Sequence, residues 1–350
     1  MTGYNIAVVG ATGAVGTRII KMLEETSLPI ASVKLLASKR SVDKTLEYNG
    51  QKLKVQEALP SSFDGVDLAF FSAGGSVSKK LAPEAIKRGA VVVDNTSAFR
   101  MDPSVPLVVP EVNEQALYKH QGLIANPNCS TIQMVVALEP LRKEFGLKKV
   151  IVTTMQAVSG AGNRAIKELY SETKAVLNQQ QYEPEILPVT SEPEHYQIAF
   201  NPLAQIDVFE DGGYTHEEWK MIHETKKIME NEQIQVTATC VRVPVAISHS
   251  ESVWFELEKS GATVAKLQQI LQNAPGVILR DDPVHQVFPQ ALEATGQKET
   301  YVGRIRADGE QPNAFHLYCV ADNLLKGAAW NSVQIAESLD KLDLLRVPNR

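Results

Sequence analysis

The stretch VVGATGAVG, residues 8–16, constrains the fold of this chain more than any other. An apolar, β-branched run, NIAVVG, leads into Gly10, Gly13 and Gly16. Apolar side chains then recur at helical spacing over residues 14–25 through Val15, Ile19, Ile20 and Leu23. A strand that turns through glycines into a helix is how a nucleotide-binding sheet opens. The glycines let the backbone turn tightly and approach a pyrophosphate, which sits at the positive end of the helix. The spacing, G-x-x-G-x-x-G, is one step from the commoner G-x-G-x-x-G, and the competing reading is a glycine turn with a structural role alone. In its strand–loop–helix context the phosphate cradle is favoured, and it comprises Gly10, Ala11, Thr12, Gly13, Ala14, Val15 and Gly16.

The first 125 residues keep this rhythm. SVKLLAS reads as the second strand, and Asn49-Gly50 within LEYNGQKLKV supplies the type I′ turn of a hairpin. VDLAFFS and AVVVDN read as further strands, with a helix over 76–88 between them. Such alternation predicts a Rossmann-type doubly wound parallel sheet with helices on both faces. From about residue 147 the texture changes to alternating runs without regular crossovers: LKKVIVTTMQAV, TATCVRVPV, SVWFELE, TYVGRIRA and NAFHLYCVAD. These predict an α+β domain with a mixed or antiparallel sheet, so the fold class is α/β with a second, α+β domain. Pro184, Pro188, Pro193, Pro202, Gly212 and Gly213 mark residues 178–215 as an irregular excursion. Residues 325–342 predict a closing amphipathic helix.

A formal charge of −6 and a pI near 5.7 argue against nucleic acid or an anionic membrane surface as partner. No apolar run approaches the roughly 18 residues of a spanning helix, and the opening residues read as a strand rather than a signal peptide. Cys129, Cys240 and Cys319 are far apart, with no C-x-x-C. Neither a disulfide framework nor a zinc site is expected, and a cytoplasmic setting follows. The histidines show no ligand spacing, so no metal is expected.

The second predicted strand ends in Ser38, Lys39, Arg40 and Ser41, with no carboxylate for ribose hydroxyls. Hydroxyls and cations suit the 2′-phosphate of NADP, whereas an acidic residue would repel it. The alternative is that Lys39 and Arg40 are a solvated surface pair. Ser72, Ala73 and Gly74 end another strand in small residues, where a ligand can approach backbone. Ser159 and Gly160, in SGAG, form a similar turn.

In ANPNCSTIQMV, residues 125–135, Cys129 sits at the predicted start of a helix. The helix dipole and exposed N–H groups favour a thiolate there. Asn128 is placed to cap, and Ser130 and Thr131 to bond backbone donors. Free cysteines are more often inert core residues, and position alone leaves both readings of Cys129 open. Cys240 and Cys319 lie in apolar strand runs and read as core. A thiolate needs a partner, and RVPVAISHSES offers His249, just past a strand and seven residues after Arg242. His249 suits proton exchange and Arg242 a bidentate hold on a carboxylate. Gln156, after VIVTTM, is placed to orient an intermediate.

Taken together, GATGAVG, NPNCST, QAVSGAG, EEWK, RVPV followed by SHSES, and the closing DNLLKGAAWNSVQIAE resemble the aspartate-β-semialdehyde dehydrogenase family. The resemblance covers essentially the whole chain, with every motif in family order. It implies an NADP-dependent enzyme that interconverts L-aspartyl 4-phosphate and L-aspartate 4-semialdehyde in lysine, threonine and methionine biosynthesis, with diaminopimelate on the lysine branch. It implies Cys129 as the nucleophile that carries a thioester, His249 as the acid/base residue and Gln156 as the residue that steadies the covalent intermediate. Arg242 then matches the ligand of the substrate carboxylate, and Glu217 that of its ammonium group, with Glu218 as a rival. Arg100 and Lys220 match the phosphate ligands, Asn128 a phosphate or substrate contact, and Asn323 with Leu324 the nicotinamide side. The resemblance also implies a homodimer. Its NADP-binding Rossmann domain would span residues 1–127 plus 329–350, and its catalytic and dimerisation domain residues 128–328.

The substrate's carboxylate, ammonium and phosphate are matched in sign by Arg242, by Glu217, and by Arg100 with Lys220. A reductase of N-acetylglutamyl phosphate would share the fold and the Cys/His pair. Its substrate's acylated amine is uncharged, so the carboxylates of EEWK favour the aspartyl substrate. A catalytically silent NADP-binding sensor would need none of Cys129, His249, Arg242 and Arg100.

Overall fold

The computed structural model describes residues 3–346; the parts of the expected first domain at residues 1–2 and 347–350 lie outside the described residues. The chain forms two compact units. One holds the chain up to Asn128 and again from Ala328, the other Cys129–Gly327.

In the first unit β1 (Tyr4–Val9), α1 (Ala14–Glu25) and β2 (Ile30–Ala37) make the opening strand–helix–strand. In the hairpin of β3 (Thr45–Tyr48) and β4 (Gln51–Glu57), Tyr48 pairs with Gln51. Asn49 (φ 47°) and Gly50 (φ 73°) occupy the two positive-φ positions of the turn between them. Next come β5 (Leu68–Phe71), α2 (Gly75–Lys87), β6 (Val91–Asp94), the short α3 (Pro110–Asn113) and β7 (Leu123–Ala125). The sheet order is β3-β4-β2-β1-β5-β6-β7, parallel throughout except for β3 with β4. The winding reverses direction at β1, the kind of switch point where nucleotides bind beyond the strand ends. On one face Ala7, Val9, Ala69, Phe71 and Val92 pack with Leu81, Ala82 and Ala85 of α2. The alternate residues Ile6, Val8 and Phe70 are also fully buried, on the opposite face.

The second unit opens with α4 (Cys129–Phe145), which is buried along nearly its whole length. Its strands are β8 (Lys149–Gln156), β9 (Gln235–Arg242), β10 (His249–Glu256), β11 (Val277–Leu279), β12 (Thr300–Ala307) and β13 (Ala314–Ala321). Interspersed are α5 (Asn163–Leu177), α6 (His216–Ile228), α7 (Val264–Gln272) and the short α8 (Ala291–Ala294). The order β11-β12-β13-β10-β8-β9 is mixed: the outer pairs are parallel and the inner ones antiparallel. Helix α4 packs on β10, β12 and β13. Val150, Val152, Val253, Phe255 and Leu317 are buried, while Ile151, pointing the other way on β8, is 40% exposed. One face is therefore covered and the other open.

Residues 178–215 contain no helix and no named strand. Two carboxylates of α5 hold this excursion. Glu168 accepts the backbone N–H groups of Glu185, Ile186 and Leu187, and Glu172 those of Ile198 and Ala199. Ile186, Leu187, Ile198 and Leu203 then pack against Val158, Ala165 and Leu169.

Two elements depart from the sequence expectation. Strand β10 begins at His249, so this residue opens a strand instead of trailing one. Burial of His249 and Glu251 on the inner face outweighs the weak strand preference of Ser and Glu. The closing helix, α9, is α-helical only over Trp330–Lys341, because Leu325–Ala329 form a π-helical turn, a feature common at functional sites.

Candidate active site

In the first unit the glycine turn lies at the end of β1. Gly10 has φ 87°, and a Cβ there would lie 2.8–2.9 Å from Ser72, so a side chain does not fit between these strand ends. A Cβ at Gly16 would collide with the Gly10 carbonyl, so its absence lets α1 close down on the turn. A cavity of about 690 Å³ opens here, lined by Gly10, Thr12, Gly13, Ser38, Lys39, Arg40, Ser72 and Ala73. The Thr12 and Ser41 hydroxyls meet at 3.3 Å, tying the glycine turn to the segment after β2. Ala11, Ala14, Val15, Gly16 and Gly74 frame the cleft without lining it; Gly74 heads α2. Glu57 and Lys80 line it as well, which sequence reasoning missed. Glu57 arrives only through its pairing with Ala37 across β2 and β4, and Lys80 through the packing of α2. Lys39, Arg40 and Lys80 thus face a single lining carboxylate. That balance suits an anionic nucleotide. Arg100 and Asn128 also belong to this unit and are buried; Arg100 donates Nη2 to the Asn95 carbonyl at 2.9 Å.

The other predicted residues belong to the second unit, where strand register gathers three of them. Gln156 pairs with Arg242 across β8 and β9, and the pairing of Ser250 with Met155 brings His249 to the same level. One step down the strands lie Cys240, Thr154, Glu251 and Cys319, and below them Ala238, Val152, Val253 and Leu317. The inner face therefore grades from a polar row at the strand ends to an apolar core. Cys129 opens α4 and is partly exposed, whereas Cys240 and Cys319 are buried. Burial raises both of those thiols. Gly327 lies directly against Cys129: a Cβ there would sit 2.7 Å from Cys129 Cβ.

His249 is held by its backbone surroundings. The Ala157 N–H donates to His249 Nδ1 at 3.0 Å. Nδ1 is therefore the unprotonated nitrogen, and the neutral ring carries its proton on Nε2. Burial, reinforced by the charge of Arg242, pushes the ring down to about 3. Arg242 donates Nη1 to the Ala157 carbonyl at 2.8 Å. Burial depresses the pKa of its guanidinium, opposed by the charges of Glu217 and Cys129. His249 Nε2 and Arg242 Nε are buried and have no protein partner, as groups aimed at a ligand would be. Gly160 leaves room beside both: a Cβ there would lie 3.0 Å from Arg242 Nη1 and 3.5 Å from His249 Nε2.

Glu217 accepts from Gln156 Nε2 and from Lys220 Nζ, each at 3.1 Å, and Lys220 also reaches Asp207 at 2.7 Å. Glu218 is committed elsewhere. Its two oxygens take the N–H groups of Thr215 and Cys240, capping α6 and fastening it to β9. Asn323 Oδ1 accepts from the Ser159 hydroxyl at 3.0 Å and the Ser248 N–H at 2.9 Å. Ser248 itself has φ 79°, strain of a kind that collects at functional sites. The excursion, to which the sequence assigned no catalytic role, supports two of these residues. Leu203 exchanges both backbone hydrogen bonds with Arg242, and Asp207 holds Lys220. Among the described residues no group of three or more His, Cys, Asp or Glu side chains is arranged to hold a metal, and no helix is long and apolar enough to cross a membrane.

A family model described as "Semialdehyde dehydrogenase, NAD binding domain" matches residues 5–120, and one described as "Semialdehyde dehydrogenase, dimerisation domain" matches residues 138–326. The chain is 61% identical over 343 residues to aspartate-semialdehyde dehydrogenase of Bacillus subtilis (strain 168), covering 98% of this chain and 99% of that one. Its structure is similar to that of aspartate semialdehyde dehydrogenase II complexed with ASA from Vibrio cholerae. The TM-score is 0.93 at 43% identity, over 97% of this chain and 99% of the other. A structure of aspartate semialdehyde dehydrogenase with NADP from Candida albicans matches with TM-score 0.75 at 25% identity, over 98% and 99% of the two chains.

Proposed function

The chain belongs to the aspartate-semialdehyde dehydrogenase family, and from that premise we propose that it interconverts L-aspartyl 4-phosphate and L-aspartate 4-semialdehyde through a thioester on Cys129, with NADP as its nucleotide. One observation carries the reading: Arg242, Gln156 and His249 converge in a single cross-strand row, with Glu217 bonded to Gln156 and Cys129 within the field of Arg242.

In the reductive direction the Cys129 thiolate attacks the acyl carbon of the aspartyl phosphate, and phosphate leaves. The positive end of α4 and the charge of Arg242 both favour that thiolate. NADPH, when bound, supplies the hydride that reduces the thioester carbon. Negative charge then develops on the former carbonyl oxygen, and His249 Nε2–H is the donor held to receive it. Collapse of the adduct frees the aldehyde and returns the thiolate, with no proton taken up by the ring. A neutral histidine fixed as a donor therefore suffices. To accept a proton it would first have to release the Ala157 N–H.

Arg242 offers its guanidinium to the substrate carboxylate, and Gln156, tethered to Glu217, steadies the adduct. Glu217 takes the ammonium group, a role supported over Glu218 because both oxygens of Glu218 are bound to backbone. Lys220 and Arg100 are the phosphate ligands, with Asn128 beside the nucleophile in sequence. The first unit is the NADP domain: the Gly10 turn cradles the pyrophosphate, and Ser38 to Ser41 receive the 2′-phosphate. Three cations against Glu57 support that choice. Ser159, Gly160 and Asn323 are assigned to the nicotinamide side. The second unit carries catalysis and pairs two copies of the chain. That pairing is supported by the family model's description and by apolar side chains in the open: Ile151 on the uncovered sheet face, and Tyr170 and Leu177 of α5 at 64% and 72% exposed. The product semialdehyde would feed lysine, threonine and methionine biosynthesis.

The test is to supply aspartate semialdehyde, phosphate and NADP⁺ and to follow absorbance at the NADPH band. The signal is expected to depend on both phosphate and the semialdehyde. Silence with this substrate, alongside turnover of N-acetylglutamyl semialdehyde, contradicts the substrate assignment.

A further inference from the structure

One step below the Arg242–Gln156–His249 row lies a buried carboxylic acid that this chemistry leaves unused. Glu251 follows His249 by two residues on the same face of β10 and is 0% exposed. Its Oε2 accepts the Cys319 thiol at 3.4 Å, and the Gln133 amide is a neighbour of the same carboxyl. Gln133 lies one helical turn after Cys129 on α4 and is likewise 0% exposed. Its Nε2 donates to the His249 carbonyl at 3.2 Å and lies 3.9 Å from Cys319 Sγ. Gln133 thus joins the helix of the nucleophile to the backbone of the histidine. Two atoms of this cluster lack a donor: Glu251 Oε1 and Gln133 Oε1 are buried acceptors with no partner. An ionised carboxylate supplies no hydrogen, whereas a protonated carboxyl does.

We propose that Gln133 and Glu251 in its acid form are positioning residues. Together they hold the His249 end of β10 against the first turns of α4, so that nucleophile and hydrogen-bond donor keep one spacing through the reaction. The groups around Glu251 include no cation among the described residues. They are the Cys319 thiol of β13, the Gln133 amide of α4, Thr154 of β8, the Cys240 thiol of β9 and the charge of Glu217 on α6. Burial raises the carboxyl well above its ordinary range, and the neighbouring Cys319 thiol and Gln133 amide oppose this only in part. A buried polar network stiffens a site when every member is satisfied, and one proton satisfies this one.

The proposal rests on the roles given above to Cys129 and His249, and its test separates the two. Glu251→Gln, Glu251→Leu and Gln133→Leu are compared with wild type for kcat, KM, iodoacetamide alkylation of Cys129 and thermal unfolding across pH. The amide of Glu251→Gln supplies a donor without a titrating proton, so kcat stays within about threefold of wild type. Glu251→Leu and Gln133→Leu lose about 10²-fold in kcat with KM and cofactor affinity nearly unchanged. Their Cys129 alkylation rates change, while that of Glu251→Gln does not. The native acid keeps a proton that the unfolded chain has lost above about pH 4.3, so the contribution of Glu251 to stability falls as pH rises. Glu251→Gln is free of that loss and gains on wild type as pH rises above about 4.3. The proposal is overturned if Glu251→Gln is as impaired as Glu251→Leu, if Gln133→Leu keeps wild-type kcat, or if the stability difference between Glu251→Gln and wild type does not change with pH. Should the leucine variants fail to fold, the Glu251→Gln comparison decides alone. Absence of turnover in wild type would remove the functional reading, while unfolding against pH and alkylation would still judge the pair.

Discussion

Replacing Gly327 by alanine perturbs Cys129, the proposed nucleophile, without removing any reacting group. The added Cβ would lie 2.7 Å from Cys129 Cβ and 3.2 Å from its Cα. Carbon atoms in ordinary contact stand about 3.5–4.0 Å apart, so roughly 1 Å of displacement must be absorbed. Neither contact atom is the end of a flexible side chain, so the first turn of α4 or the π-helical turn must move. Overpacking of this kind costs about 1–3 kcal/mol, partly offset by the roughly 1 kcal/mol helix preference of Ala over Gly. Stability should therefore fall by no more than about 2 kcal/mol. A misplacement of about 1 Å at a reacting atom, however, costs on the order of 10²-fold in rate. Steady-state kcat/KM, thermal unfolding and NADPH binding measured on one preparation separate the two effects. Gly309→Ala is the control, since nothing lies within 4 Å of a Cβ there. Gly327→Ala with kcat/KM within about threefold of wild type would refute the reasoning, because Cys129 would then tolerate a displaced neighbour.

Other expectations concern the cofactor cleft, the excursion and the histidine. Lys39→Glu combined with Arg40→Glu should weaken NADP far more than NAD in fluorescence titrations; equal losses would mean that the pair does not face the 2′-phosphate. Glu168→Ala strips the carboxylate from three backbone N–H groups. It should cost about 2–4 kcal/mol and expose residues 178–215 to limited proteolysis; an unchanged cleavage pattern would count against that anchoring. His249, pushed down to about 3, stays neutral in the native fold where the unfolded chain takes up a proton below about pH 6.5. The contribution of this ring to stability should thus fall on acidification, by about 3 kcal/mol between pH 6.5 and pH 4, and His249→Gln should gain on wild type by about that amount over the same interval. Urea unfolding at both pH values measures this, and parallel pH dependences for the two proteins would contradict it.

Local chemistry made much of the fold legible. The glycine turn, the Asn49-Gly50 hairpin and the apolar period of α1 each depend on residues within a few positions of one another. Cys129 could be placed at a helix start for the same reason. What brings Arg242, Gln156 and His249 into one row is register between β9, β8 and β10, a property of non-local pairing that no short window contains. Glu57 reaches the nucleotide cavity by the same route, through its pairing with Ala37. SHSES resembles a loop by composition, and only the inward burial of His249 and Glu251 makes it a strand. The positive φ of Ser248, the π-helical turn and the hold of Glu168 and Glu172 on the excursion are likewise outcomes of tertiary context. EEWK offers Glu217 with Glu218 as its rival, and only the fold reveals that both oxygens of Glu218 are bonded to backbone N–H groups.

The central claim is that Cys129 accepts the aspartyl group. Mixing the protein with L-aspartyl 4-phosphate in the absence of NADPH, quenching in acid and measuring intact mass tests it directly. The expected result is a gain of one aspartyl group that maps to the peptide containing Cys129, disappears when NADPH is added before the quench and is absent from Cys129→Ala. An unmodified wild-type protein that still turns over, or an adduct that survives in Cys129→Ala, would contradict it.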